Sequence, residues 1–445
     1  MELHFFGTNG IRGIPNDDLS AEFSMDVGKA MATFFSAKKI AMAKDTRITG
    51  DMILNAVSSA VMSAGTDVVY LGILPTPALQ YYCKKNHVPG IMITASHNPP
   101  QYNGIKAIDM DGTEIDEEKE YEIEKLIMNK KFKNVSWENA GRFYYDDTAV
   151  DLYINGIISL INFKKISERK LNVAIDTGNG ASYYTSPLLL SRLNCHIVTL
   201  NSNPDGKFTG RNSEPKPENL QDLINIMKTG KFDIGIAHDG DADRCVFIDE
   251  NGNFIDGNES LALIAKYTLR AGETLVTPTS SSDALKDVCQ QKNAKIIVTR
   301  VGAPIVARTM IENNAVIGGE ENGGVIYGKH QFCRDGAMTM SLMLNLLACE
   351  NKKISELLRE IPKYYMVKKS VPRKYDWDVI KNKLLDALGN KKTDLLDGIK
   401  IYEDSGWVLI RPSGTEKILR IFTESKNEKT AMDLNEKYIN IINKL

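Results

Sequence analysis

The chain has 445 residues, enough for about two to four domains at roughly 100–200 residues each. Hydrophobic residues make up 42% and charged residues 25%, and 55 Lys plus Arg against 57 Asp plus Glu leave a formal net charge of −2. So balanced a chain excludes the basic profile of a nucleic-acid or anionic-membrane binder, and its spread of large apolar residues excludes disorder.

No apolar run approaches the roughly 18 residues of a membrane span. The start, Met1-Glu2-Leu3-His4-Phe5-Phe6, lacks the basic and apolar regions of a leader peptide. The cysteines (Cys83, Cys195, Cys245, Cys289, Cys333, Cys349) are scattered without a C-x-x-C pair, which argues against a zinc ribbon and against a secreted disulfide framework. The expectation is a cytoplasmic protein of several domains, with neither nucleic acid nor membrane as partner.

Short β-branched runs alternate with helix-like segments along most of the chain. Ile40–Ala43, Asp67–Leu71 and Gly90–Thr94 read as buried strands, with helical spacing from Gly50 to Gly65. The alternation restarts at Leu171–Asp176 and continues through Cys195–Leu200 and Asp233–His238. A third round takes in Thr274–Thr277, Ile296–Val298 and Ala315–Ile317. Such a pattern predicts largely parallel α/β sheets. The last part differs: strands at Tyr364–Val371, Ile399–Tyr402, Trp407–Ile410 and Leu419–Phe422, with helices near 375–388 and 427–444, predict a small α+β domain. The expected units are 1–150, 151–252, 253–363 and 364–445.

Four polar loops each follow an apolar strand. They are Thr94-Ala95-Ser96-His97-Asn98-Pro99, Asp239-Gly240-Asp241-Ala242-Asp243-Arg244, Gly318 to Gly324, and Arg411-Pro412-Ser413-Gly414-Thr415-Glu416. Ligands gather at the carboxyl ends of strands in open α/β sheets, so four such loops suggest the walls of one central cleft.

The acidic loop places carboxylates at i, i+2 and i+4, on one side of an extended segment, where oxygen ligands suit Mg²⁺ or Ca²⁺. An EF-hand starting at Asp239 would find Glu250 at its twelfth position. It fails because Arg244 stands where a glycine is needed and a strand-like run, Cys245–Ile248, follows. A solvated acidic turn is the plainer alternative. Ser96 is a candidate nucleophile outside any G-x-S-x-G context, although Asn98-Pro99 also suits an ordinary turn. Arg411, Ser413, Gly414 and Thr415 offer a guanidinium, hydroxyls and permissive backbone N–H groups to a phosphate, without a Walker motif. Glu320 and Asn322 could grip sugar hydroxyls. Arg12 and Lys106 could bring positive charge to Ser96.

Taken together these segments resemble the α-D-phosphohexomutase family, which includes phosphoglucomutase, phosphomannomutase and phosphoglucosamine mutase. The resemblance runs essentially end to end. It rests on Phe6 to Gly13, Thr94 to Pro99, Tyr102 to Lys106, Asp176 to Gly180, Asp239 to Arg244 and Arg411 to Glu416, with Pro204-Asp205-Gly206 and Arg334-Asp335-Gly336 as further landmarks.

The resemblance implies three related α/β domains with mixed, largely parallel sheets and a smaller C-terminal α+β domain around a central cleft. It implies that Ser96 carries a phosphoryl group and helps Asp239, Asp241 and Asp243 hold one Mg²⁺. Arg12, Lys106 and Arg244 would line the reacting group, Glu320 and Asn322 the sugar, and Arg411, Ser413, Gly414, Thr415 and Arg420 the distal phosphate. The implied reaction interconverts hexose 1-phosphate and hexose 6-phosphate through a hexose 1,6-bisphosphate, which also serves as activator.

Lys106 is the expected base if neighbouring cations lower its pKa, with His97 and His330 as other acid/base candidates. Many bacterial members end the sugar loop in Ser-Gly-His; here the positions are Asn322-Gly323-Gly324, a form closer to archaeal members, whose names divide between phosphoglucosamine mutase and bifunctional phosphomannomutase/phosphoglucomutase. A non-catalytic sugar-phosphate sensor and a metal-dependent phosphatase or nuclease remain the alternative readings.

Overall fold

A computed structural model describes residues 4–7, 10–413 and 417–444. The first sheet holds β1 (Phe6–Gly7), β2 (Gly10–Gly13), β3 (Lys39–Lys44), β4 (Asp67–Ile73), β5 (Gly90–Ile93), β6 (Asn103–Ile108) and β7 (Phe143–Tyr145), ordered β1-β2-β6-β5-β3-β4-β7. The second holds β8 (Asn172–Asp176), β9 (His196–Leu200), β10 (Ile234–His238), β11 (Cys245–Ile248) and β12 (Phe254–Ile255), ordered β12-β11-β10-β8-β9. In the third, β13 (Thr274–Pro278), β14 (Lys295–Thr299), β15 (Ile317–Gly319) and β16 (Val325–Tyr327) run β14-β13-β15-β16. The fourth is antiparallel throughout: β17 (Tyr365–Pro372), β18 (Thr393–Asp394), β19 (Ile399–Glu403), β20 (Gly406–Pro412) and β21 (Ile418–Ser425), ordered β17-β21-β20-β19-β18.

One plan recurs in the first three sheets. A central strand (β3, β8, β13) lies between two parallel neighbours (β4 and β5, β9 and β10, β14 and β15). The inner neighbour then turns back into an antiparallel strand: β5 into β6, β10 into β11, β15 into β16. Strands β5, β10 and β13 are buried along their whole length, which is why they appear in the sequence as mostly apolar runs rather than as a regular alternation of apolar and charged residues. The three turns after β5, β10 and β15 carry Ser96, the Asp239–Asp243 run and Glu320.

A continuous apolar cluster joins these three units. It runs from Tyr81 and Met92 through Tyr153 and Ile157 of the linking helix Ala149–Ile158 to Ile175, Leu189, Leu261 and Met343. The fourth sheet has its own core, built from Leu384, Ile401, Val408, Ile421, Leu434 and Tyr438. Polar groups prominent in its contact with the third unit are three. Asp397 Oδ2 accepts from Val301 N–H at 2.8 Å, Glu424 Oε1 from Asp283 N–H at 2.9 Å, and Lys400 Nζ donates to Thr279 C=O at 2.7 Å.

Lys400 is buried, its ammonium 3.7 Å from the centre of the Trp407 ring. Burial brings its pKa down from 10.5 to about 8. Between those values the unfolded chain binds the extra proton, so stability rises as the pH climbs from about 8 towards 10. A melting-temperature series over that range is expected to rise in the native protein relative to Lys400→Met; equal slopes would sink the assignment.

Candidate active site

Ser96 follows β5 with φ at 51°, a left-handed conformation that a non-glycine residue adopts at a cost. Its surroundings hold it there. Ser96 N–H donates to Thr94 Oγ1 at 2.8 Å, and the Thr94 hydroxyl donates to Asp45 Oδ2 at 2.6 Å. Arg47, buried beneath the loop, donates to the carbonyls of Ser96 and Tyr102 at 2.8 Å and of Asn98 and Pro99 at 2.7 Å. Its Nε pairs with Asp45 at 3.0 Å. One guanidinium thus supplies hydrogen bonds to four carbonyls of the turn, a use of its fixed planar fork that no lysine could copy. Ser96 Oγ donates to Asp239 Oδ2 at 3.1 Å and lies 3.4 Å from His97 Nδ1.

Asp239, Asp241 and Asp243 are all buried, and each offers an oxygen within 4.8 Å of the others. Asp241 Oδ2 accepts from Thr76 at 2.7 Å and from Lys106 at 3.0 Å, and Asp243 Oδ2 from Arg334 at 2.5 Å. Asp241 Oδ1 and Asp243 Oδ1 are buried without a hydrogen-bond partner among the described residues. Burial, then the Asp243 and Asp241 charges, push Asp239 well above the ordinary carboxylate range. Burial acts on Asp241 in the same sense, but Lys106 and the hydrogen bond from Thr76 overcome it and hold that carboxyl well below. Three carboxylates so close, two of them with an unpartnered oxygen, form a donor set that suits a hard divalent cation such as Mg²⁺.

Four cations surround this cluster. Arg12 Nη1 donates to Asn98 Oδ1 at 2.5 Å, and Arg244 Nε stands 3.9 Å from both Asp239 and Asp243. Lys106 Nζ lies 3.0 Å from Asp241, 3.6 Å from Glu114 and 3.9 Å from Asp243. The expectation that neighbouring cations make Lys106 a base meets a different environment. Burial works to lower its pKa, but Asp241, Glu114 and Asp243 outweigh burial and raise it, so the ammonium stays charged. His97 is the reverse case: Arg244, then burial, Arg12 and Arg334 drive its pKa well below 6.5 and leave the ring neutral.

Arg334, the fourth cation, ties the third unit to this group. Its guanidinium donates to Glu320 Oε2 at 2.8 Å as well as to Asp243. Asn322 sits beside Glu320, with Nδ2 3.5 Å from Oε2 and Oδ1 accepting from Gly324 N–H at 3.1 Å.

The structure therefore brings together Arg12, Ser96, His97, Lys106, Asp239, Asp241, Asp243, Arg244, Glu320 and Asn322. Arg411, Ser413 and Arg420 form a second group on the fourth sheet. Arg411 and Arg420 are directly opposite on β20 and β21, an arrangement of like charges that an anion relieves. Arg411 Nε is 3.2 Å from Asp397 Oδ1, and Ser413 N–H donates to Ile418 C=O at 3.0 Å. Gly414 and Thr415 lie outside the described residues. His330 stands apart from both groups: its ring stacks on Tyr81 at 4.4 Å and its Nε2 lies 3.4 Å from Asp335, so it faces the buried joint between units rather than Ser96.

Sequence reasoning passed over Asp45, Arg47, Thr76 and Glu114. Asp45 and Arg47 follow β3 directly, so the carboxyl-end argument used for the other loops applies to them equally. Arg334 stands out in the sequence only as part of the landmark Arg334-Asp335-Gly336.

Comparison with known proteins accounts for all four units. Residues 4–134, 151–252 and 256–365 match phosphoglucomutase/phosphomannomutase alpha/beta/alpha domains I, II and III, and residues 348–441 match the C-terminal domain. A phosphoglucomutase/phosphomannomutase of Thermococcus kodakarensis is 42% identical over 447 residues, covering 98% of each chain. The chain belongs to the phosphoglucomutase/phosphomannomutase family. Another relative, a phosphoglucosamine/phosphogalactosamine mutase of Sulfurisphaera tokodaii, is 40% identical over 96% of this chain and 97% of its own. A solved structure of a family protein from Burkholderia thailandensis superposes with a TM-score of 0.88 at 25% identity, covering 98% of this chain and 96% of that one.

Two outcomes follow from the geometry. Mg²⁺ is expected to raise the melting temperature, by about 2.7 kcal/mol of stabilisation at a hundredfold excess over its Kd. Asp239→Asn removes that increment, and a persistent Mg²⁺ shift in this variant would place the cation elsewhere. Arg47→Met removes the buried ion-pair partner of Asp45 and the guanidinium bonds to four carbonyls, and is expected to cost about 3–5 kcal/mol, read by denaturant unfolding.

Proposed function

We propose that this family member is a phosphohexomutase that interconverts hexose 1-phosphate and hexose 6-phosphate through phospho-Ser96. The observation that supports this most is Ser96 itself, held in a strained turn against Asp239 and ringed by Arg12, Lys106 and Arg244. Asp239, Asp241, Asp243 and an oxygen of phospho-Ser96 would hold one Mg²⁺, which when bound draws charge from the transferring phosphoryl oxygens.

The chain's own residues account for the rest. Arg12, Lys106 and Arg244 neutralise the phosphoryl group, and Lys106 acts through its retained charge. Glu320 and Asn322 hold sugar hydroxyls, while Arg411, Ser413, Gly414, Thr415 and Arg420 hold the phosphate that does not react. A sugar hydroxyl forms the new O–P bond as the P–Oγ bond of Ser96 breaks, giving a hexose 1,6-bisphosphate. The proton lost by the sugar hydroxyl matches the one regained by Ser96 Oγ. His97, neutral and 3.4 Å from that oxygen, can relay it. The bisphosphate then turns over in the cleft and returns its other phosphoryl group to Ser96. The separate core and polar contact of the fourth unit allow it to swing without disturbing the first three.

The best candidates for the activity are phosphoglucosamine mutase and a bifunctional phosphomannomutase/phosphoglucomutase, a choice supported by relatives named phosphoglucomutase/phosphomannomutase and phosphoglucosamine/phosphogalactosamine mutase. Sugars differing only at C2 are separated modestly where a single contact changes. A phosphohexomutase works where hexose phosphates are retained, so this reading includes a cytoplasmic location; among the described residues no helix is long and apolar enough to cross a membrane.

The test is a coupled assay with Mg²⁺ on the 1-phosphates of glucose, mannose and glucosamine, after priming with glucose 1,6-bisphosphate. Formation of 6-phosphates is expected, with Ser96→Ala slower by about a thousandfold or more. Release of inorganic phosphate by an active Ser96→Ala protein would favour a phosphatase instead.

A further inference from the structure

Arg334 stands at the end of the turn that follows β16, immediately before Asp335 caps the helix Gly336–Glu350. It is 5% exposed, and its two terminal nitrogens reach different units: Nη1 to Glu320 in the sugar loop, Nη2 to Asp243 in the acidic turn. The two loops also touch through backbone, since Cys245 N–H donates to Gly323 C=O at 3.0 Å, and the helix after Arg334 reaches the acidic turn, Gly336 N–H donating to Ala242 C=O at 3.2 Å. Arg334 adds the charged link between them.

The stem of Arg334 lies against Gly324. A Cβ at Gly324 would come within 2.3 Å of Arg334 Cδ and 3.0 Å of Cγ. Gly324 has no positive φ, so its backbone is one that other residues adopt. Space, not conformation, keeps a side chain out of this position: the tightest contact is the arginine stem, with Asn322 Oδ1 next at 3.1 Å. Glu320 is thereby anchored through Oε2, which accepts from Arg334 at 2.8 Å and lies 3.5 Å from Asn322 Nδ2.

We infer that Gly324 and Arg334 form a matched pair that presents the Glu320 carboxylate to the hexose and keeps the sugar loop in register with the acidic turn, making Arg334 a positioning residue for sugar binding. The inference rests on the mutase reading for the identity of its ligand. A guanidinium can bridge two carboxylates held apart, where an ammonium, a point charge, favours one of them. A methyl group at Gly324 acts by the same route, because it pushes the arginine stem aside.

A double-mutant cycle tests this, using Gly324→Ala, Arg334→Met and the double variant. Calorimetry in a Ser96→Ala background measures binding of glucose 6-phosphate with Mg²⁺, and steady-state kinetics are run with Ser96 intact. Each single change is expected to weaken binding about tenfold, and the double variant no more than the worse single, because both act on one carboxylate. KM should rise more than kcat falls. Arg334→Lys should recover part of the melting temperature lost in Arg334→Met but little of the affinity.

In a Glu320→Gln background Arg334→Met should add little further loss. Wild-type affinity in Gly324→Ala, or penalties that multiply in the double variant, would overturn the pairing. If Gly324→Ala fails to fold, the Arg334 and Glu320 variants carry the test, and equal losses from Arg334→Met in both Glu320 backgrounds overturn it. A wild-type enzyme that turns over no hexose phosphate removes the functional reading, whereas the binding cycle still decides the pairing.

Discussion

The site is governed by the cost of burying carboxylates next to one another. Asp239, Asp241 and Asp243 share a volume from which water is excluded, with Glu114 and Glu320 close by. An uncompensated charge in such a place is among the most expensive features a fold can contain. Nearly every other polar group in the cleft answers that cost. Lys106 and Thr76 settle on Asp241, Arg334 on Asp243, and Arg244 between Asp239 and Asp243, while two oxygens stay unpartnered for a cation. Those same groups form the field that a phosphoryl group would meet, so charge balance in the resting protein and charge stabilisation during transfer are one arrangement.

Much of the fold was legible because its strands are buried on both faces. Gly90–Ile93, Val173–Ile175 and Ile234–Ala237 stand out as apolar runs, and the alternation with helices announces a parallel sheet. The margins were less visible. Strand β2 is Gly-Ile-Arg-Gly and β16 has three residues, so neither carries enough pattern to separate a strand from a loop.

At the site the same contrast holds. Ser96 and the aspartates lie in compact polar clusters that local reading finds. Arg47 reaches carbonyls 49 or more residues away and Arg334 reaches Asp243 across 91, groups that come near only once the chain has folded. The state of Lys106 was misjudged for the same reason. Its charge is decided by Asp241 and Glu114, and the distance to Asp241 is a property of the docked domains.

The recurring turn after the inner parallel strand has a consequence of its own. One supersecondary unit appears three times, and at the same position each copy carries a different chemistry: the Ser96 hydroxyl, the Asp239, Asp241 and Asp243 carboxylates, and Glu320 with Asn322. Division of labour of this kind is irreversible in practice. No copy carries the side chains of another, and all three share one apolar cluster. The working cleft is a property of the assembly of repeats, so damage to a joint between units should silence the protein as completely as damage to any residue that touches substrate.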